Sequence, residues 1–138
     1  MALYVLDTDH LTLLQRSEAK VSLRYLATPP TDVAASVISY EEQVRGRLAQ
    51  VSQAKTAASK EAAYARLCQT QQFYCNLRLL DFSAEAARIY EALRQAHRRL
   101  GRMDLQLAAT VLSINALLVT RNTQDFNPIA NLRLDNWA

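Results

Sequence analysis

The chain has 138 residues, of which 50% are hydrophobic and 21% charged, and its formal net charge at pH 7 is +3. This length suits one compact domain, and with two glycines and three prolines the sequence contains no flexible linker, so we expect a single domain over residues 1–138. No apolar run approaches the roughly 20 residues of a membrane-spanning helix, and no basic stretch precedes the apolar start. We therefore expect a soluble, cytoplasmic protein, whose basic charge suits a polyanionic partner.

The two cysteines, Cys68 and Cys75, are separated by two helical turns and fall on one face of a helical stretch. This spacing matches neither a zinc-binding pair nor a disulfide framework. We therefore predict two reduced thiols packed in the core.

The first half of the chain predicts two strands that each lead into a helix. The apolar run Leu3–Leu6 is followed by Asp-Thr-Asp and then by apolar residues at helical spacing. A second strand is predicted over Val33–Ile38, after a proline-containing turn. Ser39 and Glu42 have the Ser-x-x-Glu spacing of a capping box, so a helix should begin there. With one break, the helical pattern continues to about Leu77.

The second half alternates helices and short strands in the same way. The predicted elements are a strand over Leu79–Phe82, a helix over Ser83–Leu100 closed by Gly101 at the C′ position, a largely buried helix over Asp104–Ile114 with Asn115 as a left-handed cap, a strand over Leu117–Thr120 and an edge strand over Leu132–Leu134. Apolar strands that alternate with helices predict a parallel sheet covered on both faces.

Four acidic residues fall near the points where helices of such a fold begin or strands end. Asp7 follows the first strand, Glu42 opens the helix after the second, Asp104 begins the buried helix, and Asp125 lies in the loop after the strand that ends at Thr120. Ligands of open parallel sheets gather at the carboxyl ends of the strands, so we expect these acids to converge. Crowded carboxylates repel one another unless a divalent cation neutralises them, and oxygen ligands suit Mg²⁺ or Mn²⁺.

Each acid also has an ordinary structural explanation. Asp7 or Asp9 could cap the first helix, and Glu42 could simply complete the capping box. Asp104 could interact with the helix dipole, and Asp125 could be a turn residue. These explanations do not account for the placement of all four at one end of the sheet.

Four segments of the chain together resemble the motifs of the PIN-domain family, and in particular the VapC-type toxins of bacterial toxin–antitoxin pairs. The segments are Leu6–Asp9, Ile38–Gly46, Asp104–Ala109 and Thr120–Phe126. The resemblance covers nearly the whole chain and extends to Leu132–Trp137. It implies a three-layer α/β/α fold with a mainly parallel sheet, and a metal-dependent ribonuclease that hydrolyses phosphodiester bonds with activated water.

The resemblance also implies roles for the acids. Asp7 and Asp104 match the acids that hold Mg²⁺ or Mn²⁺, and Asp125 matches the last acid, which would help to fix the ion. The glutamate of the family lies four residues after the isoleucine and four before a glycine, which selects Glu42 over Glu41. Glu42 would hold a second ion or orient the attacking water.

Further positions match less directly. Thr120 and Asn122 correspond to polar positions that help hold the attacking water or the phosphate. Asp9 stands where the family more often has asparagine. The resemblance also implies an RNA substrate, a VapB-type antitoxin as partner and a homodimer.

Basic side chains provide candidates for contacts with RNA phosphates. Arg94, Arg98 and Arg102 recur every four residues opposite the apolar stripe of the predicted helix, and they point along the chain towards the acidic motif. An ordinary solvated face would have the same spacing. Arg45 and Arg47, near the start of the earlier helix, are further candidates.

Two other functions remain open from the sequence. Asp-Thr-Asp after a first strand is also typical of haloacid-dehalogenase-like phosphatases, but Leu11 stands where that family has Thr or Val, and no convincing lysine motif follows. A PIN module without catalysis could act as the binding or co-repressor partner of an antitoxin. Neither His10 nor His97 is predicted to be a catalytic base, and His97 is predicted to be a packed residue with one polar partner.

Overall fold

A computed structural model describes residues 2–138, and its strands form one parallel five-stranded sheet. The strands are β1 (Tyr4–Leu6), β2 (Val33–Ser36), β3 (Arg78–Leu80), β4 (Leu117–Val119) and β5 (Arg133–Asp135). The helices are α1 (Thr8–Gln15), α2 (Ala19–Ala27), α3 (Val37–Gln53), α4 (Ala57–Cys75), α5 (Ala84–Ala96), α6 (Arg102–Ser113) and α7 (Thr123–Phe126), with a 3₁₀ turn at Pro30–Asp32. No helix within residues 2–138 is long and apolar enough to cross a bilayer.

The strand order β3-β2-β1-β4-β5 puts β1 at the centre of the sheet. The chain first builds outward through β2 and β3, and then crosses to the other side of β1 for β4 and β5. Val5 of β1 pairs with Ala34 of β2 and with Leu118 of β4. This reversal of direction beside β1 creates the crevice in which open α/β sheets bind ligands, at the carboxyl ends of the strands.

Successive residues of β1 face opposite sides of the sheet and enter two separate cores. Val5 packs in the core that includes Leu105 of α6, whereas Leu6 packs in the core that includes Leu11 of α1 and Val21 of α2. All five of these side chains are essentially inaccessible to solvent. Helices therefore cover both faces, and the predicted three-layer α/β/α fold with a parallel sheet is confirmed.

The start of α3 differs from the sequence prediction. Ser36, the last residue of β2, caps this helix by accepting the backbone N–H of Ile38 at 2.9 Å, and the helix begins at Val37. The predicted capping box at Ser39 is therefore wrong. The strand ends earlier than its apolar pattern suggests, and Ser39 lies within the first turns of the helix, where it is buried.

The end of α5 is also shorter than predicted. The helix stops at Ala96, because His97 leaves the helical conformation with φ −128° and ψ 66°. Leu100 still packs against the core, but from a loop that lets the chain turn back. Gly101 does not end α5 at a C′ position. It is the N-cap of α6, with φ −71°.

Two smaller predictions have opposite outcomes. Asn115 adopts the predicted left-handed conformation, with φ 53°. The prediction that Cys68 and Cys75 are buried is wrong, since both thiols are exposed. The buried face of α4 carries Thr70 and Tyr74, and the cysteines fall off that face.

Candidate active site

Asp7 leaves the central strand and enters α1, so it lies at the crevice beside β1. Its backbone N–H donates to the carbonyl of Val119 in β4 at 3.0 Å, which continues the sheet by one residue. Its carboxylate Oδ1 accepts the backbone N–H of His10 at 2.7 Å and thereby caps α1. The structural explanation considered for Asp7 is therefore correct, and the same side chain also lines the adjoining cleft.

His10 contacts both Asp7 and the far end of the chain. Its Nδ1 lies 3.0 Å from Oδ1 of Asp7, and its Nε2 accepts the backbone N–H of Trp137 at 3.2 Å. Because Nε2 accepts a hydrogen bond, the ring proton of a neutral imidazole resides on Nδ1 and is donated to Asp7. His10 is completely buried, and its contact with the first acid was not predicted from the sequence.

A cleft of about 260 Å³ lies beside Asp7. It is walled by the N-terminal turns of α1, α3 and α6 and by the loop after β4. The lining residues are Asp7, Thr8, Asp9, Ile38, Ser39, Glu42, Met103, Asp104, Leu107, Arg121, Asn122 and Phe126. Three of the four acids proposed from the sequence therefore share one cleft.

The first turns of α3 select one of two neighbouring glutamates for this cleft. Glu42 lines it, whereas the Glu41 carboxylate lies 2.9 Å from the guanidinium of Arg45 and 3.7 Å from that of Arg102. Adjacent helical residues point about 100° apart, which accounts for the difference. Arg45, a candidate for RNA contact, is thus engaged in an ion pair with Glu41.

Asp104 is an acid of the cleft whose pKa is shifted by its surroundings. It lies in the first turn of α6 and is half-buried. Burial raises the pKa of its carboxyl above the usual value, and the negative charges of Glu42, Asp7 and Asp125 raise that pKa further. Asp104 is therefore close enough to the other three acids to be repelled by their charges.

The fourth motif reaches the cleft only in part. Asn122 lines it and donates from Nδ2 to Oδ2 of Asp125 at 3.0 Å, while Asp125 itself is exposed and lines a neighbouring cavity with Arg98. The Thr120 hydroxyl is buried and accepts the backbone N–H of Asn122 at 2.9 Å. Thr120 therefore shapes the loop that presents Asn122.

Arg121 forms an ion pair at the cleft that was not predicted from the sequence. Its Nε and a terminal nitrogen donate to the two carboxylate oxygens of Asp9 at 2.6 and 2.7 Å. The hydrogen bonds with Asp9, and then the charge of Asp9, raise the pKa of Arg121, so the guanidinium stays charged. Both residues line the cleft, but they are distant in sequence, and no local pattern could have indicated their pairing.

The donor set fits a hard divalent cation. Candidate ligand atoms of Asp7, Asp9 and His10 lie within 4.8 Å of one another. His10 is unsuitable, because both ring nitrogens already take part in hydrogen bonds and its side chain is buried. The suitable donors are carboxylate oxygens, which Mg²⁺ and Mn²⁺ prefer.

The three arginines proposed as one helical row are distributed over two helices and a loop. Arg94 lies in the last turn of α5, Arg98 in the loop and Arg102 at the start of α6, because α5 ends earlier than expected. All three still line one groove of about 350 Å³. Arg94 pairs with Glu91 at 3.2 Å and Arg102 donates to Gln106 at 2.9 Å.

Comparison with known proteins places this architecture in a family. Over 69 residues the chain is 39% identical to Ribonuclease VapC2 of Rickettsia felis, a match that covers 47% of this chain and 52% of that protein. It thus spans about half the length of that relative. It is 25% identical to Ribonuclease VapC1 of Haemophilus influenzae, over 99% of this chain and 98% of that one.

Solved structures and a family model agree with this relationship. A chain from the crystal structure of VapBC2 from Rickettsia felis, bound to a DNA fragment from their promoter, superposes with a TM-score of 0.76 and 29% identity, covering 99% of both chains. The family model described as PIN domain matches residues 4–132. On this match, which extends over nearly all of the chain and includes every strand except the last, the protein belongs to the PIN domain family.

Proposed function

We propose that this protein is a metal-dependent endoribonuclease of the VapC type that acts as the toxin of a toxin–antitoxin pair. The observation that carries the proposal is the convergence of Asp7, Glu42 and Asp104 in one cleft, where burial and then the charges of Glu42 and Asp7 raise the pKa of Asp104. Its relatives in Rickettsia and Haemophilus are named ribonucleases, which supports RNA as the substrate.

Asp7 and Asp104 would hold Mg²⁺ or Mn²⁺, and Asp125 would add negative charge from the margin of the cleft. The two residues come from different layers of the fold, so the cation would tie the start of α1 to the start of α6. Asp7 suits this role because Oδ1 is occupied by His10, which fixes the orientation of the carboxylate. A bound divalent cation supplies Lewis-acid activation of the phosphodiester and of the attacking water.

The remaining polar groups would position the substrate and the water. Glu42 faces the same cleft from α3 and would orient the attacking water through its carboxylate. Thr8 donates to the buried Ser39 hydroxyl at 3.0 Å and holds α1 and α3 together beneath that site. Asn122 and Arg121 would contact phosphate oxygens from the opposite wall.

The groove of Arg94, Arg98 and Arg102 would guide the RNA backbone to the cleft. Arg98 suits this role best, because no side-chain partner is found for it among residues 2–138. Arg102 reaches Glu41 and Gln106, so its release would cost those contacts. Arg45 is a weaker candidate than Arg98, since it is paired with Glu41.

We also propose a VapB-type antitoxin as partner. The solved Rickettsia structure is a VapBC2 assembly on promoter DNA. In this chain, α2 exposes 69% of Leu23 and 79% of Leu26, although Val21 of the same helix is buried in the core. Leu23 and Leu26 would contribute to the antitoxin interface. The homodimer and the cytoplasmic location stay predictions.

The rival functions make different predictions about RNA cleavage. Membership of the PIN domain family supports a nuclease and offers nothing for the phosphatase alternative. A catalytically inactive co-repressor would keep the fold and the antitoxin interface without cutting RNA. The carboxylates in the cleft favour the enzyme. Their repulsion of Asp104 destabilises the fold unless a cation binds there, and an inactive module would gain nothing from that cost.

The deciding experiment is RNA cleavage by purified protein with Mn²⁺, with Mg²⁺ and with a chelator. We expect cleavage that needs the metal and is lost in Asp7→Asn and Asp104→Asn. Asp81→Asn, at an exposed carboxylate outside the cleft, is the matched control and should keep full activity. Turnover that is unchanged by the two cleft substitutions would refute the site, and no turnover by the wild type under any condition would favour the co-repressor.

A further inference from the structure

A second cavity, lined by three arginines, lies on the flank of the molecule away from the arginine groove. Its volume is about 540 Å³, and α1, α3 and α4 form its walls. The lining residues are Thr12, Gln15, Arg16, Arg47, Arg66, Gln69, Thr70 and Phe73. We call it the basic cavity.

The positive charge of the basic cavity indicates that it binds an anion. Arg16, Arg47 and Arg66 share the basic cavity with no acidic residue in its lining. None of the three forms an ion pair with any residue between 2 and 138, whereas Arg24, Arg88 and Arg121 do. Guanidinium groups that share a cavity repel one another, and a bound anion removes that repulsion.

The basic cavity is also organised before any ligand binds. Arg47 donates from Nε to the Thr70 hydroxyl at 2.9 Å, and Thr70 is only 3% exposed. This bond fixes the side chain and leaves the terminal nitrogens of Arg47 free of hydrogen bonds to the described residues. A fixed guanidinium loses little conformational entropy when it binds a phosphate.

A buried polar network supports the basic cavity from below. Gln43 is buried, donates to Thr12 at 3.0 Å and exchanges hydrogen bonds with Gln15. The Tyr74 hydroxyl donates to Gln43 at 2.8 Å, and burial raises the pKa of Tyr74 so that its proton is retained. These contacts tie together the same three helices that form the basic cavity.

The basic cavity and the acidic cleft lie along one seam between α1 and α3. Thr8 contacts Ser39 at the cleft, and Thr12 contacts Gln43 one turn further along both helices. Arg47 follows Gln43 by another turn. At 1.5 Å per residue, Arg47 lies about 7 Å beyond Glu42 along the axis of α3. That distance corresponds to roughly two stacked nucleotides of a strand at about 3.4 Å each.

We propose that the basic cavity binds a phosphate of the RNA strand a few nucleotides from the bond that is cut. This inference rests on the proposed ribonuclease function and adds a second contact to it. Phe73 provides an aromatic wall against which the adjoining base can pack. The RNA would then cross the acidic cleft with cationic groups on both sides, those of the basic cavity and those of the Arg94–Arg102 groove.

The test is RNA binding by a triple variant, Arg16→Gln with Arg47→Gln and Arg66→Gln, in the inactive Asp7→Asn background. The probe is a labelled single-stranded RNA of about 12 nucleotides, titrated at several salt concentrations. The matched control is Lys55→Gln with Lys60→Gln and Arg78→Gln, which removes three positive charges at exposed positions outside the cavity. In the cavity variant Thr70 keeps its bond to the carbonyl of Arg66, so the fold should survive.

We expect the cavity variant to bind RNA at least tenfold more weakly and to lose about 0.7 from the slope of log affinity against log salt, the change for one lost phosphate on a single strand. The control should change affinity less than threefold. A dinucleotide, whose single step spans about 3.4 Å, is too short to reach both sites and should distinguish the two variants less than the longer RNA does. If circular dichroism shows the triple variant unfolded, the double variant Arg16→Gln with Arg66→Gln, which leaves the Arg47–Thr70 bond intact, replaces it in the same comparison.

Several results would overturn the proposal. Equal weakening by the cavity and control variants would assign the effect to overall charge. Tighter, cavity-dependent binding of a polyglutamate peptide than of RNA would assign the cavity to an acidic protein segment. If the wild-type enzyme cuts RNA and the cavity variant loses no RNA affinity, the basic cavity is not an RNA-binding site, although the proposed ribonuclease function stands. If the wild type neither binds nor cuts RNA, the proposed function is refuted as well.

Discussion

His10 Nδ1 lies 3.0 Å from Oδ1 of Asp7, and the backbone N–H of His10 donates to the same oxygen at 2.7 Å. The other ring nitrogen accepts from Trp137. A single buried imidazole thus connects the first acid of the cleft to the end of the chain after β5. The arrangement suits a residue that orients the carboxylate proposed to bind the metal, without reaching the cleft itself.

Replacement of His10 should therefore weaken metal binding without removing any charge from the cleft. We expect His10→Phe to lower Mn²⁺ affinity about 10- to 100-fold, the range typical of residues that support metal ligands. His10→Asn, whose amide can occupy the position of Nδ1, should retain part of the Mn²⁺ affinity that His10→Phe loses. Calorimetric titration of each variant with Mn²⁺ measures the effect, and equal affinities for wild type and His10→Phe would show that Asp7 needs no such support.

The raised pKa of Asp104 predicts a pH-dependent change in stability. The folded protein binds this proton more tightly than the unfolded chain, so stability falls as pH rises from the unfolded pKa, about 4, through the raised folded value. In metal-free protein, Asp104→Asn should raise the melting temperature at pH 7 by about 2–5 °C. The gain should vanish below pH 4, where both forms of the side chain are neutral.

Asp7 gives the contrasting control for this measurement, because it caps α1 as well as lining the cleft. Asp7→Asn keeps an oxygen that can accept the capping N–H, whereas Asp7→Ala loses it and should cost about 1 kcal/mol. If the melting temperature of Asp104→Asn at pH 7 is lower than that of the wild type, the Asp104 carboxylate stabilises the fold instead of destabilising it. Melting curves at pH 3.5 and pH 7 decide the question.

Short-range patterns that mark strand ends and helix starts were sufficient to predict that Asp7, Glu42 and Asp104 lie near one another, as their shared cleft shows. Their catalytic and metal-binding roles stay predictions. Asp7 and Glu42 follow apolar strands, and the parallel arrangement brings such positions to one edge. The contacts that complete the cleft depend on residues far apart in the chain. His10 meets Trp137 and Arg121 meets Asp9 only after the sheet has assembled, so no local pattern indicates either pair.

Element boundaries were missed for a different reason. Ser36 and Ser39 are both good helix caps, and local chemistry cannot choose between them. The sheet decides, because β2 pairs with β1 as far as Ala35 and with β3 as far as Ser36, so the strand ends at Ser36 and the helix begins directly after it. The end of α5 was similarly obscured by Leu100, whose apolar spacing continues the helical pattern although it packs from a loop.

Glu42 and Glu41 provide a matched pair of substitutions on one helix. Glu42→Gln should reduce RNA cleavage at least 100-fold, because it removes a carboxylate that faces the cleft. Glu41→Gln should keep near-normal cleavage and lose less than about 1 kcal/mol of stability, since its ion pairs with Arg45 and Arg102 are exposed. Single-turnover cleavage with Mn²⁺ measures the difference, and the reverse ranking would mean that the register of α3 relative to the cleft has been misassigned.

The last prediction concerns the arginine groove, whose three members are not equivalent. Arg94 is paired with Glu91, and Arg102 contacts Glu41 and Gln106, whereas Arg98 has no side-chain partner among the described residues. Arg98→Gln alone should therefore weaken RNA binding more than Arg94→Gln does.

Together, Gln at Arg94, Arg98 and Arg102 should lower the slope of log affinity against log salt by up to about 2, at about 0.7 for each contact. Metal affinity should hardly change, because none of the three side chains lines the cleft. RNA titration in the Asp7→Asn background separates binding from cleavage. Arg88→Gln, on the exposed surface of α5 and paired only with Glu85, is the control. If the slope of log affinity against log salt is unchanged in the triple variant, these arginines form an ordinary solvated surface and do not contact RNA. RNA binding would then depend on the other flank of the cleft.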